Sequence, residues 1–416
     1  MPEMAPMLNT SETKNSLKTL KFRNRKLVLS FMRNAGAVSV NEISRATGLS
    51  KMTVHKIIDH YLEEGMVLHA GKGVSTEEGG KKPNLFAFNA HCRYIYAVRL
   101  GGDFLSTSIV NLKGEMVVGQ KTVPLDNVSF DELIRLMANA FREQVGEKNL
   151  PRESCLAAVV GCNGIVDVKN GVCLAFYQAP GWGADMPIRD SLQAHLPEHV
   201  PVHVDSWWRH LAHGEIHFSQ NDDRKRFFLI GNSGDYISGG MVEDGRAWSG
   251  ATGFAGEIGH LIVAPNSTET CVCGGIGCLE SLVAPSRVLR KAGDLRAAYP
   301  ESRVFSSGEP GGLEDIGKAA DAGDPLARTV LDGMVKYFAV AVNNIVQICD
   351  PGVIVLFGDL ARLGGYFLDG LRERAHSLSL HGIDKRTRIE YSVLGDEHGV
   401  VGAANHMTDS LFSTGH

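Results

Sequence analysis

The residues best equipped for chemistry in this 416-residue sequence lie between Gly253 and Glu280, GFAGEIGHLIVAPNSTETCVCGGIGCLE. One imidazole, His260, and three thiols, Cys271, Cys273 and Cys278, make a complete ligand set for a tetrahedral, structural Zn2+ ion. The glycines between Cys273 and Cys278 let the backbone turn tightly enough for neighbouring sulfurs to converge on one ion. Four soft donors in so short a loop favour a metal over unrelated buried thiols. Two carboxylates bracket the set: Glu257 just before His260, and Glu280 just after Cys278. A metal clamp over residues 260–278 would fix both, which suits a rigid pocket for a polyhydroxy ligand.

GEIGH followed by CxCGxxGCLE resembles the signature of the ROK family, which comprises repressors, open reading frames and sugar kinases. The match runs residue by residue through the segment. It implies zinc on His260, Cys271, Cys273 and Cys278, and sugar contacts from Glu257, His260 and Glu280.

A chain of this length is expected to form two or three domains around a substantial core. No run reaches membrane-spanning length and no apolar signal segment opens the chain, so a cytoplasmic protein is expected. Cys92, Cys155, Cys162, Cys173 and Cys349 are scattered through apolar stretches and read as reduced core thiols. The net charge of −5 hides an asymmetry. Residues 1–90 carry 13 Lys and Arg against 8 Asp and Glu, and the remainder carries 29 against 39. A basic head on an acidic body points the head alone towards a polyanion.

Residues 1–20 are polar, with little periodicity, and read as a flexible tail. Residues 21–90 read as a winged helix-turn-helix. Asn24–Ala35 has helical apolar spacing. Ser39 caps a second helix, Val40–Thr47, with Glu42 completing a capping box, and Ser50 caps a third, Lys51–Glu64. Val54, Ile57, Ile58 and Tyr61 form the apolar side of the third helix. Ser50, Lys51, Thr53, His55 and Lys56 are left near its exposed end, where short polar and cationic groups can reach base edges and phosphates. Two short strands around Gly79-Gly80-Lys81-Lys82 make a wing whose tip can approach DNA closely. GLSKMTVHKIIDHYLEEGMV is similar to the reading head of ROK repressors, whose wing usually has an Arg where this chain has Lys81 or Lys82. Lys cannot make a planar bidentate contact.

Residues 91–416 alternate strands with helices, an α/β pattern long enough for two lobes and a cleft. The resemblance makes this an actin-like, two-lobed sugar-kinase fold that binds a ligand and dimerises. A kinase of that type needs glycine-lined turns around phosphates and a carboxylate base for the sugar hydroxyl. Where the family's kinases carry Asp-x-Gly-Gly-Thr, this chain has Arg99-Leu100-Gly101-Gly102-Asp103, and an acid at 103 would repel a triphosphate. A second turn, usually Gly-Thr-Gly-x-Gly, reads Gly231-Asn232-Ser233-Gly234-Asp235. The family's base belongs to an Asn-Asp pair, and counting back from Glu215 puts Ser206-Trp207 there, with Asp205 two residues off. Losing a general base costs about 10²- to 10⁴-fold. Ser206 and Trp207 become candidate ligand contacts, since an aromatic face can stack on a sugar ring.

These readings converge on a one-component transcriptional regulator, repressor-like, acting on carbohydrate genes. Its head would bind double-stranded operator DNA as a homodimer or larger homo-oligomer, and its degenerate kinase body would sense a sugar or sugar derivative. An active ATP-dependent sugar kinase with an attached DNA-binding head is the alternative.

Overall fold

The computed structural model describes the chain apart from residues 1–9, 75–81, 178, 219–225, 307, 380–386, 396 and 412–416. Lys81 and the start of the expected tail lie outside the described residues. The rest of that tail corrects the sequence reading: α1 spans Thr10–Asn34, so residues 10–20 are helical. No Gly or Pro interrupts this span, and Lys, Leu, Arg and Glu are good helix formers. A helix anchored by Val28, Leu29 and Met32 therefore propagates back through a polar stretch that has no apolar periodicity of its own.

The head continues with β1 (Val38–Ser39), α2 (Val40–Thr47) and α3 (Lys51–Glu63). The Ser39 hydroxyl accepts the Glu42 amide, and the Glu42 carboxylate accepts the Ser39 amide at 2.7 Å. A cap of this kind stabilises a helix by about 1 kcal/mol. Ser50 caps α3 by accepting the Thr53 amide. Two antiparallel strands, β2 (Val67–Lys72) and β3 (Asn84–Phe88), complete the head, with β1 pairing on β3. Ile43, Val54, Ile58 and Phe86 close its core against α1.

The body repeats one plan. Its first sheet takes β4 (Tyr94–Leu100), β5 (Phe104–Asn111) and β6 (Met116–Pro124) as antiparallel neighbours. After α4 (Phe130–Glu147) comes β7 (Cys155–Cys162), parallel to β4. A small hairpin, β8 (Ile165–Asp167) and β9 (Val172–Ala175), and α5 (Ile188–Gln193) lead to β10 (Val202–Ser206), parallel to β7. After α6 (Trp207–Phe218), β11 (Arg226–Ser233), β12 (Tyr236–Glu243) and β13 (Arg246–Ala247) are again antiparallel. Four helices follow: α7 (Leu279–Val283), α8 (Pro285–Leu295), α9 (Leu313–Asp321) and α10 (Pro325–Cys349). Then β14 (Val353–Phe357), α11 (Gly364–Ser377) and β15 (Arg388–Tyr391) add two parallel strands beyond β11. The chain closes with α12 (Glu397–Leu411). The sheet orders, β10-β7-β4-β5-β6 and β15-β14-β11-β12-β13, correspond strand for strand.

Packing follows from this duplication. One face of each sheet is turned to the middle, where Ala97 and Val159 from the first and Leu229 and Val355 from the second share a core with α6 and α12. The outer faces carry α4 and α5 on one side and α7 to α11 on the other. The middle layer requires close approaches. A Cβ on Gly402 of α12 would lie 1.8 Å from the His210 carbonyl oxygen of α6, so only glycine fits. β12, YISGGMVE, has two glycines at its centre, and Gly240 is bare because the Trp208 ring lies over it. The middle layer also reaches the head, where the Arg33 guanidinium at the end of α1 donates to Asn405 Oδ1 on α12. Among the described residues, no helix is long and apolar enough to cross a membrane, and all eight cysteines are free thiols.

Candidate functional site

The loop between β13 and α7 brings the four soft donors together. His260 ends a single 3-10 turn, Ile258–His260, and Cys278 immediately precedes α7. Isolated bridges pair Ile262 with Cys278 and Thr270 with Ile276, which fold the knuckle back on itself. All four ligand atoms lie within 4.8 Å of one another. The Cys273 and Cys278 sulfurs are 3.8 Å apart, and Cys271 Sγ is 3.5 Å from His260 Nδ1. Zinc bonds of about 2.3 Å to sulfur and about 2.05 Å to nitrogen, at tetrahedral angles, set these separations at about 3.8 and 3.6 Å. The donor set therefore fits the ion in spacing as well as in chemistry.

The imidazole faces two ways. Its Nδ1 belongs to the thiol cluster, while its buried Nε2 makes no hydrogen bond and lies 4.0 Å from Glu257 Oε2. Tyr177 packs edge-on against the ring at 5.6 Å. The Tyr236 hydroxyl donates to both Glu257 oxygens, at 2.8 and 2.9 Å. Glu280 accepts the Ile237 amide at 2.9 Å, and its other oxygen is 3.8 Å from Cys271 Sγ. Burial, opposed by the Tyr236 hydroxyl and reinforced by Glu280, pushes the Glu257 carboxyl up to about 7. Burial likewise pushes Glu280 up to about 6, against the Ile237 amide that favours its charge. Two desolvated carboxylates beside one imidazole hydrogen-bond donor form a surface suited to vicinal hydroxyls.

The two glycine turns named from sequence face each other across the cleft, at the ends of the corresponding strands β4 and β11. Arg99 donates to Ser233 Oγ at 2.7 Å, and Asn163 donates to the same oxygen at 2.7 Å. The Arg99 guanidinium lies 4.9 Å from the Trp207 ring and 5.1 Å from that of Phe104. Asp103 is exposed. Asp235 is turned onto α8, where it accepts the Ser286 amide at 2.9 Å and so caps that helix. A cavity of about 410 Å3 opens beside these turns, lined by Arg99, Phe104, Asn232, Gly358 and Arg362 among others.

Ser206 and Trp207 sit at the β10–α6 junction and are buried. Trp207 is 3 % exposed, with Arg99 on one side and His210 edge-on at 5.8 Å on another, so this conformation offers no open ring face to a ligand. Asp205, two residues before Trp207, is held away from solvent. It lies on β10 opposite Gly161, accepts Arg209 Nε, and is buried with it.

On the head, Lys51, His55 and Lys56 are exposed on α3, and Lys82 is exposed two residues before β3. Thr53 and Ser50 are hydrogen-bonded to each other at 2.9 Å. Sequence reasoning passed over Met52, which is 70 % exposed between Lys51 and Thr53. Its signal was an apolar residue on the polar side of the helix. Tyr236, Asn163 and Asn405 were also missed, because each acts through a partner distant in sequence.

Two duplicated α/β lobes with a cavity between their glycine turns and a thiol-imidazole cluster define a sugar-kinase-type body joined to a small head. The ROK family profile matches residues 95–410, and the chain belongs to that family. A xylose repressor of Caldicellulosiruptor bescii is 26% identical over 398 residues, covering 95% of this chain and 97% of that protein. A glucokinase of Halalkalibacterium halodurans is 27% identical over 316 residues, covering 74% of this chain and 93% of its own. Among solved structures, a ROK family transcriptional regulator, a homolog of the E. coli MLC protein, superposes with a TM-score of 0.78 at 21% identity. It covers 95% of this chain and 97% of its own.

Proposed function

We propose that this chain is a sugar-responsive, DNA-binding transcriptional regulator, a repressor of carbohydrate genes, built on a kinase body that no longer phosphorylates. The observation that carries the reading is the buried Arg99–Trp207 pair. It stands where phosphotransfer needs carboxylates, while Glu257, His260 and Glu280 keep a complete hydroxyl-binding set on the other wall. Support comes from the relatives: likeness to the repressor runs through the head, and likeness to the glucokinase stops short of it. In this reading residues 21–90 are a winged helix-turn-helix, with Ser50, Lys51, Thr53, His55, Lys56, Lys81 and Lys82 facing DNA. Residues 91–416 bind the effector and pair two copies, so that the two heads match a palindromic site.

Zinc on His260, Cys271, Cys273 and Cys278 is structural: it supplies rigidity and takes no part in a reaction. A sugar hydroxyl donates to Glu257 and another to Glu280, and His260 Nε2 donates back. Lobe closure on the sugar moves α6 and α12, and through Asn405 and Arg33 it moves α1. The effector acts by preferring one lobe arrangement to the other. The test is operator retention across a panel of monosaccharides and their phosphates, with ADP release followed in parallel. One sugar should shift operator affinity without ADP release. Sugar-dependent ADP release at enzymatic rates would return the kinase reading.

The pH dependence of that sugar is set by Glu257. A carboxyl raised on folding from 4.5 to about 7 favours the fold below pH 4.5, and that stability is lost as pH rises through about 7. A hydroxyl donating to the ionised carboxylate restores it. The rise in melting temperature on adding sugar is therefore expected to be larger at about pH 8 than at about pH 6. Equal rises at both values would take Glu257 out of the contact set.

A further inference from the structure

The middle layer holds a second group of metal-type ligands, away from the thiol loop. Asp205 at the end of β10, His210 on α6 and His406 on α12 place a carboxylate oxygen and two imidazole nitrogens within 4.8 Å of one another. We propose that these three residues form a binding site for a divalent first-row transition ion that clamps α6 to α12.

His210 carries the argument furthest. It is 1 % exposed, and neither ring nitrogen has a hydrogen-bond partner. A buried polar atom left without a partner is destabilising, and two on one ring call for a ligand at one of them. Both hydrogen bonds to Asp205, from the Ser206 amide and Arg209 Nε, fall on Oδ1, which leaves Oδ2 for an ion. His406 is held in place by stacking on His213, with ring centroids 4.1 Å apart and planes at 15°. It is half-buried, giving an ion a way in from solvent.

The donor chemistry selects the ion. Two imidazoles and one carboxylate suit zinc, cobalt, nickel or ferrous iron rather than calcium or magnesium. Bonds of about 2.0–2.1 Å bring ligand atoms to about 3.3 Å from one another, so the three must close by up to about 1.5 Å when the ion binds. The Arg209 guanidinium beside Asp205 repels a dication. The site is therefore weaker and more exchangeable than the thiol loop. Its ion would sit one residue from Asn405, the acceptor of Arg33, so occupancy also fixes where α12 meets the head.

The test is a cobalt(II) titration of tag-free, metal-depleted, full-length protein, read by absorption. Two equivalents per chain are expected. The first should show thiolate-to-cobalt charge transfer. The second should show only ligand-field bands and should be removed first by a chelator. His406→Ala and His406→Gln should each abolish the second equivalent or weaken it at least tenfold, while leaving the first intact as evidence of folding. Saturation at one equivalent, or a second equivalent bound equally by both variants, would overturn the site.

Discussion

Cys273→Ser is expected to release the loop metal and to weaken effector binding by about 10- to 100-fold, with the two sheets still folded. Serine is a poor zinc ligand at neutral pH, and the remaining two thiols and one imidazole leave the tetrahedral set incomplete. The effect would reach the cleft because the cluster directly positions the groups proposed to bind the sugar. His260 uses Nδ1 towards Cys271 and keeps Nε2 for the cleft. Glu280 lies two residues beyond Cys278 and 3.8 Å from Cys271. Without the ion, the imidazole's tautomer is no longer fixed, and the start of α7 is held only by the Ile262–Cys278 bridge and the Ile237 amide on Glu280. The global fold should survive, since β11, β12 and β14 pair with one another independently of the loop. Metal content, calorimetric titration with the sugar and far-UV circular dichroism measure the three parts. Cys349→Ser, at a half-buried thiol on α10, is the control and should change none of them. Full sugar affinity in metal-free Cys273→Ser would separate the cluster from the pocket.

What could be read beforehand divides by range. The caps of α2 and α3 and the buried run of β14 are written in neighbouring residues, and the structure places them where the sequence puts them. The thiol loop was legible for the same reason, its ligands lying within one short segment. The extra helix at Thr10 was not, because a polar helix carries no periodic stripe and depends on anchorage further along. β12 carries no such local signature: Gly239 and Gly240 lie at its centre, and their bareness answers to Leu229, Ile258 and Trp208 across the packing. The Arg99–Ser233 contact lies beyond local reading altogether. It joins corresponding ends of two strands that only the duplicated topology brings face to face. The departures at Arg99 and Trp207 were visible as missing carboxylates. That the two replacements pack on each other was not.

Lys51→Ala with Lys56→Ala is expected to weaken operator binding by about 10- to 1,000-fold near physiological salt, with sugar affinity unchanged. Both side chains are exposed on α3, whereas its buried face, Val54, Ile57, Ile58 and Tyr61, carries the packing of the head. Truncating them therefore removes charge without opening the core, and the melting temperature should stay close to that of the unaltered chain. Each lysine on a phosphate releases about one counterion. A dimer carries the two lysines on each of its two heads, so the slope of log affinity against log salt should become shallower by about 4 if all of them meet phosphates, and by less if one of each pair reads a base edge. Selection from a random-sequence library separates those two cases, because a lost base contact relaxes preference at one position of the half-site and a lost phosphate contact relaxes none. Met52 gives an internal reference within the same helix. Its exposed thioether carries no charge, so Met52→Ala should leave the salt slope unchanged while altering preference at a thymine methyl it touches. Undiminished operator affinity in the double lysine variant would mean that α3 does not enter the groove, and would recast the head as a protein-docking module.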